Sequence, residues 1–321
     1  MKFLETKLED YIRACEQENL HPEITTVFGT MSNSLRCQNN IILYGPPGVG
    51  KYTQALNYIK KFSPTQLKYE RKMNVNFQNK KQYSFRISDV HFEIDMGLLG
   101  CNAKVLWNEI YTHILDILSA RPSHEGIVMC KNFHKVHSEL LDTFYSYMQT
   151  LEHIGINLAY IFITEQVSFL PNSVLERCQI VPVRRPTKGL LSKCIGKKVG
   201  KETDLRNMRN IKGLHLEDDR LNNPNAVVVE RIMYQLDNYK EMRFIALRDA
   251  LYDIFIYQLE LGDCLWEMIK SLIDTGRITP DSIVPLFYRL HTFYRYYNNN
   301  YRPIYHLEKF MLYLCSTIHG L

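Results

Sequence analysis

The chain has 321 residues, 45% of them hydrophobic, with a formal charge of +5 and eight cysteines. That length suits two or three domains rather than one core, and no run approaches the roughly 18 to 20 uninterrupted apolar residues of a membrane span. The mild charge permits nucleic-acid contact without demanding it. Thiols without regular spacing suit a reducing compartment rather than a disulfide framework, and residues 1–17 mix charges of both signs, unlike a signal peptide.

Residues 1 to about 36 read as a lead-in: a helix with apolar positions at Leu4, Leu8, Ile12 and Cys15, then a short helix around Ile24 to Leu35. The apolar run Ile41 to Tyr44 ends in a Gly/Pro cluster, the pattern of a buried parallel strand feeding a tight loop. Further strands are predicted at Tyr83–Ile87, Val90–Ile94, Ile127–Cys130 and Leu158–Ile163, with helical patterns between most of them. Strands alternating with helices predict an α/β domain with a mostly parallel sheet and helices on both faces. A basic, Asn-rich stretch from Lys60 to Gln82 interrupts this rhythm, and the alternation of Met73, Val75 and Phe77 predicts a hairpin insertion at a sheet edge.

After Arg184, Arg185 and Pro186 the composition turns Lys-, Gly- and Asn-rich to about Asn225, which reads as a small lid or linker. From Ala226 on, apolar residues recur at helical spacing: Leu247, Leu251, Ile254 and Phe255; Leu261, Leu265, Ile269 and Leu272; Leu307, Phe310, Met311 and Leu314. The predicted organisation is therefore a P-loop core over 1–186, a lid or linker over 187–225 and an all-α domain over 226–321.

The sharpest chemical signal is GPPGVGKYT: Gly45, Pro46, Pro47, Gly48, Val49, Gly50, Lys51, Tyr52 and Thr53, placed directly after a strand and opening a helix. Glycines let consecutive backbone N–H groups turn toward phosphate oxygens, the helix N-terminus adds partial positive charge, and Lys51 reaches the terminal phosphates. These are the expected nucleotide-binding residues. The residue after Lys51, whose hydroxyl should ligate Mg2+, is however Tyr52, and Thr53 is turned about 100° away on the helix.

The second half of such a site should be an apolar strand ending in two acids. The matching strand, GIVMCKNFHKVH from Gly126 to His137, carries Cys130 and Lys131 there, so an evident catalytic base is missing and hydrolysis at this site is not expected. Cys130, His134 and His137 also admit a zinc reading, but no fourth ligand accompanies them, and a worn acid motif is preferred: no metal site is predicted.

The loop GPPGVGKYT, the strand HFEIDM (His91–Met96), the helix NAKVLWNEI (Asn102–Ile110), the strand before Lys131 and the stretch IFITEQVSFLPNSVLERCQIV (Ile161–Val181) together resemble, in that order, the AAA+ core of replication factor C small subunits. The likeness covers about Cys37 to Arg185, with weaker helical similarity from Ala226 to Leu321, where that family has its oligomerising collar. It is greatest to the eukaryotic small subunit with a reduced ATPase role, which also has a non-hydroxyl residue before the loop threonine and a basic hairpin insertion.

The resemblance implies a clamp-loader subunit in a hetero-oligomer, with other loader subunits, a sliding clamp and primer–template DNA as partners and no membrane. It implies ATP or ADP in the loop, with Mg2+ short of ligands. Localisation would be the nucleus, or a cytoplasmic replication site if the source is viral. The family's Ser-Arg-Cys motif corresponds to Glu176, Arg177 and Cys178, making Arg177 an arginine finger offered in trans; an Arg holding a surface carboxylate is the plainer alternative. The sensor position falls on Thr164 or Glu165. Lys104, Lys131 and Lys135 stand where the family contacts DNA phosphates, although ordinary solvated lysines would look the same. The aromatic and Arg-rich tract Phe287–His306 fits single-strand stacking or, preferably, packing of the collar through Phe287, Leu290 and Tyr294. Two other readings stand beside the loader: an autonomous AAA+ ATPase remodeller, and a nucleotide-free scaffold of a replication complex.

Overall fold

The computed structural model describes residues 7–37, 39–77, 81–149, 155–200, 224–257, 259–298 and 302–321. The chain divides into two compact units, Lys2–Lys212 and Gly213–Leu321. The first is an α/β unit and the second is helical. The predicted lid or linker, 187–225, contains a described helix at Lys188–Ile195, and its residues 201–223 lie outside the described residues.

The first unit opens with helices α1 (Leu8–Gln17) and α2 (Pro22–Thr30). The second predicted helix reaches only Thr30, because Met31 turns extended and the chain re-forms a single 3-10 turn at Leu35–Cys37. Leu8, Ile12 and Cys15 are buried as their spacing predicts; Leu4 lies outside the described residues.

A seven-stranded sheet follows: β1 (Asn40–Tyr44), β2 (Glu70–Phe77), β3 (Lys81–Ser88), β4 (His91–Asp95), β5 (Glu125–Lys131), β6 (Asn157–Thr164) and β7 (Cys178–Pro182), in the spatial order β2-β3-β4-β5-β6-β1-β7. From β4 to β7 neighbouring strands are parallel, while β2 and β3 form an antiparallel hairpin added beyond β4. The hairpin insertion thus exists, but its arms span 70–88. Lys60–Phe62 instead extends the preceding helix by a 3-10 turn, and the strand predicted from Tyr83 is the hairpin's second arm.

Helices α3 (Lys51–Ile59), α4 (Ala103–Ser119), α5 (Ser138–Tyr147), α6 (Asn172–Leu175) and α7 (Lys188–Ile195) complete this unit. Strand residues alternate between two cores, as a period of two requires. Ile41, Leu43, Ile127, Met129, Ile161 and Ile163 pack with α1, α2 and α3. Ile42, Phe92, Val128, Cys130 and Phe162 face α4 and α5, where Trp107 and Phe144 are fully buried.

The second unit comprises α8 (Pro224–Asp237), α9 (Phe244–Ile256), α10 (Leu261–Asp274), α11 (Pro280–Asn298) and α12 (Pro303–His319). Their apolar stripes form one core, and the buried carboxylate of Glu308 accepts two bonds from the Arg248 guanidinium. The face of α11 differs by one residue from its prediction: Leu286 and Phe293 are buried, Leu290 and Tyr294 flank them, and Phe287 is exposed. No described helix is long and apolar enough to cross a membrane.

Candidate functional site: a phosphate loop beside a carboxylate held by two substituted residues

The loop Gly45–Gly50 leaves the C-terminal end of β1 and enters α3 at Lys51. Gly48 and Gly50 take left-handed φ angles of 72° and 96°, which residues with a Cβ rarely adopt. Gly45 is required for space: a Cβ there would lie 2.2 Å from the carbonyl oxygen of Val183. Its N–H donates to the Thr164 carbonyl at 3.3 Å, so β6 and the segment after β7 clamp the loop's first residue.

The Lys51 ammonium donates to the carbonyl oxygens of Gly45 at 2.5 Å and Pro46 at 2.7 Å. Burial lowers its pKa to about 8, against an opposing pull from the Glu165 carboxylate. The first N–H groups of α3 have no partner within a helix, so the loop holds the donors and the cation that a phosphate requires.

A buried histidine holds the loop from behind. His21 Nε2 lies 2.7 Å from the Val49 carbonyl oxygen, so that nitrogen carries the proton. The His21 N–H donates to Asn19 Oδ1, which also accepts from Gln54 of α3, tying the α1–α2 connection to the helix that carries Lys51.

The metal half of the site is built from other groups. Tyr52 reaches across to β4, and its hydroxyl donates to Glu93 Oε1 at 2.6 Å. Lys131 Nζ stands 3.4 Å from Glu93 Oε2 and 5.4 Å from the centroid of the Tyr52 ring, and His91 Nε2 lies 3.3 Å from Oε1. Glu93 is only 3% exposed. Burial pushes its carboxyl up, but the His91 bond, the Lys131 charge and the Tyr52 hydroxyl outweigh it and hold the pKa at about 2. The same burial, with the Glu93 charge, drives the Tyr52 phenol far above its usual range.

These residues do not fit Mg2+, which needs several oxygens in near-octahedral array. The Tyr52 hydroxyl is spent on Glu93, and Lys131 puts an ammonium beside that carboxylate. Cys130 is fully buried on the opposite face of the sheet, where burial pushes its thiol well up. The next carboxylate of β4, Asp95, already accepts from Asn132 Nδ2 at 3.0 Å and from the Gly97 N–H at 3.1 Å. The zinc reading of Cys130, His134 and His137 meets the same obstacle at Cys130, and among the described residues no cluster of three or more His, Cys, Asp or Glu could hold a metal.

Of the remaining predicted residues, Thr164 is fully buried, and its hydroxyl donates to the Gln166 carbonyl at 2.7 Å rather than toward the loop. The Glu165 N–H donates to His134 Nδ1. Lys104 and Lys135 are exposed on α4 and on the 3-10 turn after β5, whereas Lys131 is turned inward to Glu93. Arg177 is exposed, and its guanidinium lies over the Tyr145 ring at 4.8 Å. It precedes β7, whose first residue pairs with Asn40 and whose last pairs with Tyr44. Arg177 and the phosphate loop therefore occupy opposite ends of β1.

Glu93 and His21 belong to no motif of the sequence that marks a site. Glu93 has a visible signal, an acid between Phe92 and Ile94 in the middle of a strand; His21 has none, since its partner is a backbone carbonyl 28 residues on.

No protein-family model matches this chain. It is 21% identical over 328 residues to replication factor C subunit 5 of Saccharomyces cerevisiae, an alignment spanning 90% of this chain and 92% of that protein. Among solved structures it is similar to the Holliday junction branch migration motor RuvB of Thermotoga maritima, at 15% identity, 85% and 80% coverage and a TM-score of 0.35. A second is Cdc6p of Pyrobaculum aerophilum, at 13% identity, 77% and 69% coverage and a TM-score of 0.38.

Proposed function

We propose that this chain is a subunit of a replication factor C-like clamp loader, acting with other loader subunits to place a sliding clamp on primer–template DNA in the nucleus. Its own loop holds ATP or ADP without turning it over, and Arg177 is given to the nucleotide site of a neighbouring subunit. The near end-to-end alignment with replication factor C subunit 5 supports the family part of this reading.

The observation that carries the division of labour is the placement of Arg177. It is exposed, it sits at the end of β1 away from the phosphate loop, and five strand residues separate the two. At about 3.3 Å per residue that is roughly 15 Å, too far for the guanidinium to serve its own loop. A guanidinium in that position stabilises charge on a transferred phosphoryl group only across an interface. Meanwhile Cys130 and Lys131 stand where the second half of the site would carry its acids, and Glu93 is taken up by Tyr52 and Lys131.

The test is ATP hydrolysis by the reconstituted complex. Arg177→Ala should slow it by about a thousandfold or more, within the range of arginine-finger losses, with Arg177→Lys recovering little. Lys51→Ala should do far less. A complex damaged mainly by Lys51→Ala, or an isolated chain that hydrolyses ATP, would overturn the reading in favour of an autonomous ATPase.

A further inference from the structure

We infer that the Tyr52–Glu93–Lys131 cluster takes the place of the divalent cation, so that the Gly45–Thr53 loop binds a nucleoside polyphosphate without metal. This rests on reading that loop as a phosphate site and adds the identity of the charge that completes it.

The phosphate cradle is formed: Gly48 and Gly50 hold their left-handed turns, and Lys51 is fixed against two loop carbonyls. What a metal adds to such a cradle is positive charge beyond the lysine, anchored by carboxylates. Here Lys131 supplies a fixed ammonium over the Tyr52 ring, and that ring belongs to the residue following Lys51. Glu93 anchors the ammonium as a carboxylate would anchor a metal. The Lys131 side chain keeps a third of its surface exposed, so its charge is not sealed from a ligand.

The same geometry opposes metal entry. A cation would have to displace the ammonium of Lys131 and the hydroxyl of Tyr52 from a carboxylate whose side chain is 1% exposed, and would then sit against Lys131 as a like charge. Tyr52 and Lys131, two separate departures from the usual motif, thus form one arrangement through a third residue.

The test is titration of the full chain with fluorescent N-methylanthraniloyl ADP and ATP, in EDTA and in excess MgCl2. The Kd should be equal within about twofold, or weaker with Mg2+. Lys131→Met should weaken binding in EDTA by about tenfold, and Tyr52→Thr combined with Lys131→Glu should install a preference for Mg2+, thermal melts establishing that each variant is folded. Wild-type binding that tightens about tenfold with Mg2+ overturns the inference, as does a Lys131→Met variant that binds like wild type. Absence of binding in both conditions also overturns it, yet leaves the role of Arg177 to be decided by the hydrolysis test on the complex.

Discussion

Asn40 and Arg177 are joined through the backbone: the Asn40 amide donates to the Arg177 carbonyl oxygen at 3.3 Å, and its own oxygen accepts from the Tyr160 N–H at 2.9 Å. One side chain thereby ties the residue before β7 to β6 and to the start of β1. Asn40→Ala removes both bonds and should cost about 1 to 2 kcal/mol of stability. If Arg177 works in trans, the same change should slow hydrolysis by the complex while leaving nucleotide affinity of the isolated chain unaltered. Denaturant melts and the complex's kcat measure the two effects.

Glu93 predicts an acid dependence. Its folded pKa of about 2 lies below the ordinary 4.5, so the unfolded chain binds more protons between those values and stability rises with pH there. The contribution is fully present above pH 4.5 and is lost as pH falls toward 2. Glu93→Gln should flatten the stability profile across that window, and should lower stability at neutral pH by about 2 to 3 kcal/mol by leaving Lys131 and His91 without their carboxylate. Urea melts over a pH series test both.

Lys51 has a different signature. Its buried ammonium titrates at about 8 instead of 10.5, so between those values the folded chain binds fewer protons than the unfolded one. Stability of the ligand-free chain should therefore rise as pH climbs through that window. An anionic ligand in the loop favours the charged ammonium, so nucleotide binding above pH 8 should take up a proton. Calorimetry at about pH 8.5, just above the folded pKa, in two buffers of different ionisation enthalpy measures the uptake, and Lys51→Met should abolish it.

Gly45→Ala tests the clamp on the loop. Its Cβ would meet a backbone oxygen at 2.2 Å, which no side-chain rotation relieves, so a loss of about 2 to 3 kcal/mol is expected. Gly29→Ala is the control: this glycine lies in α2 with nothing within 4 Å of an added Cβ, and the change should stabilise by about 0.5 to 1 kcal/mol.

Much of the architecture was legible because its signals are local. Five strands, the loop after β1, the edge hairpin and the stripes of the second unit follow from period-2 and period-3.6 patterns and from glycine and proline chemistry. Boundaries were less so. β2 was legible only as an alternation inside a basic stretch, and α11 turned its buried face by one residue because aromatics line nearly all of it. At the site, the substitutions at Tyr52, Cys130 and Lys131 could be read as losses, since each lacks a metal-binding oxygen in the expected place.

What replaced those losses was decided in three dimensions. Sequence alone determined that a Gly-rich loop follows the first strand and that Tyr52, Cys130 and Lys131 stand at the positions expected for metal ligands and acids, because both are properties of residue type at fixed spacing. Only the tertiary structure brought Tyr52 of α3, Glu93 of β4 and Lys131 of β5 to one carboxylate, set Cys130 on the far face of the sheet, and put Arg177 at the opposite end of β1 from the loop. The reason is physical: strand order and the alternation of side chains across a sheet fix which distant residues meet, and neither is written in the spacing of any single motif.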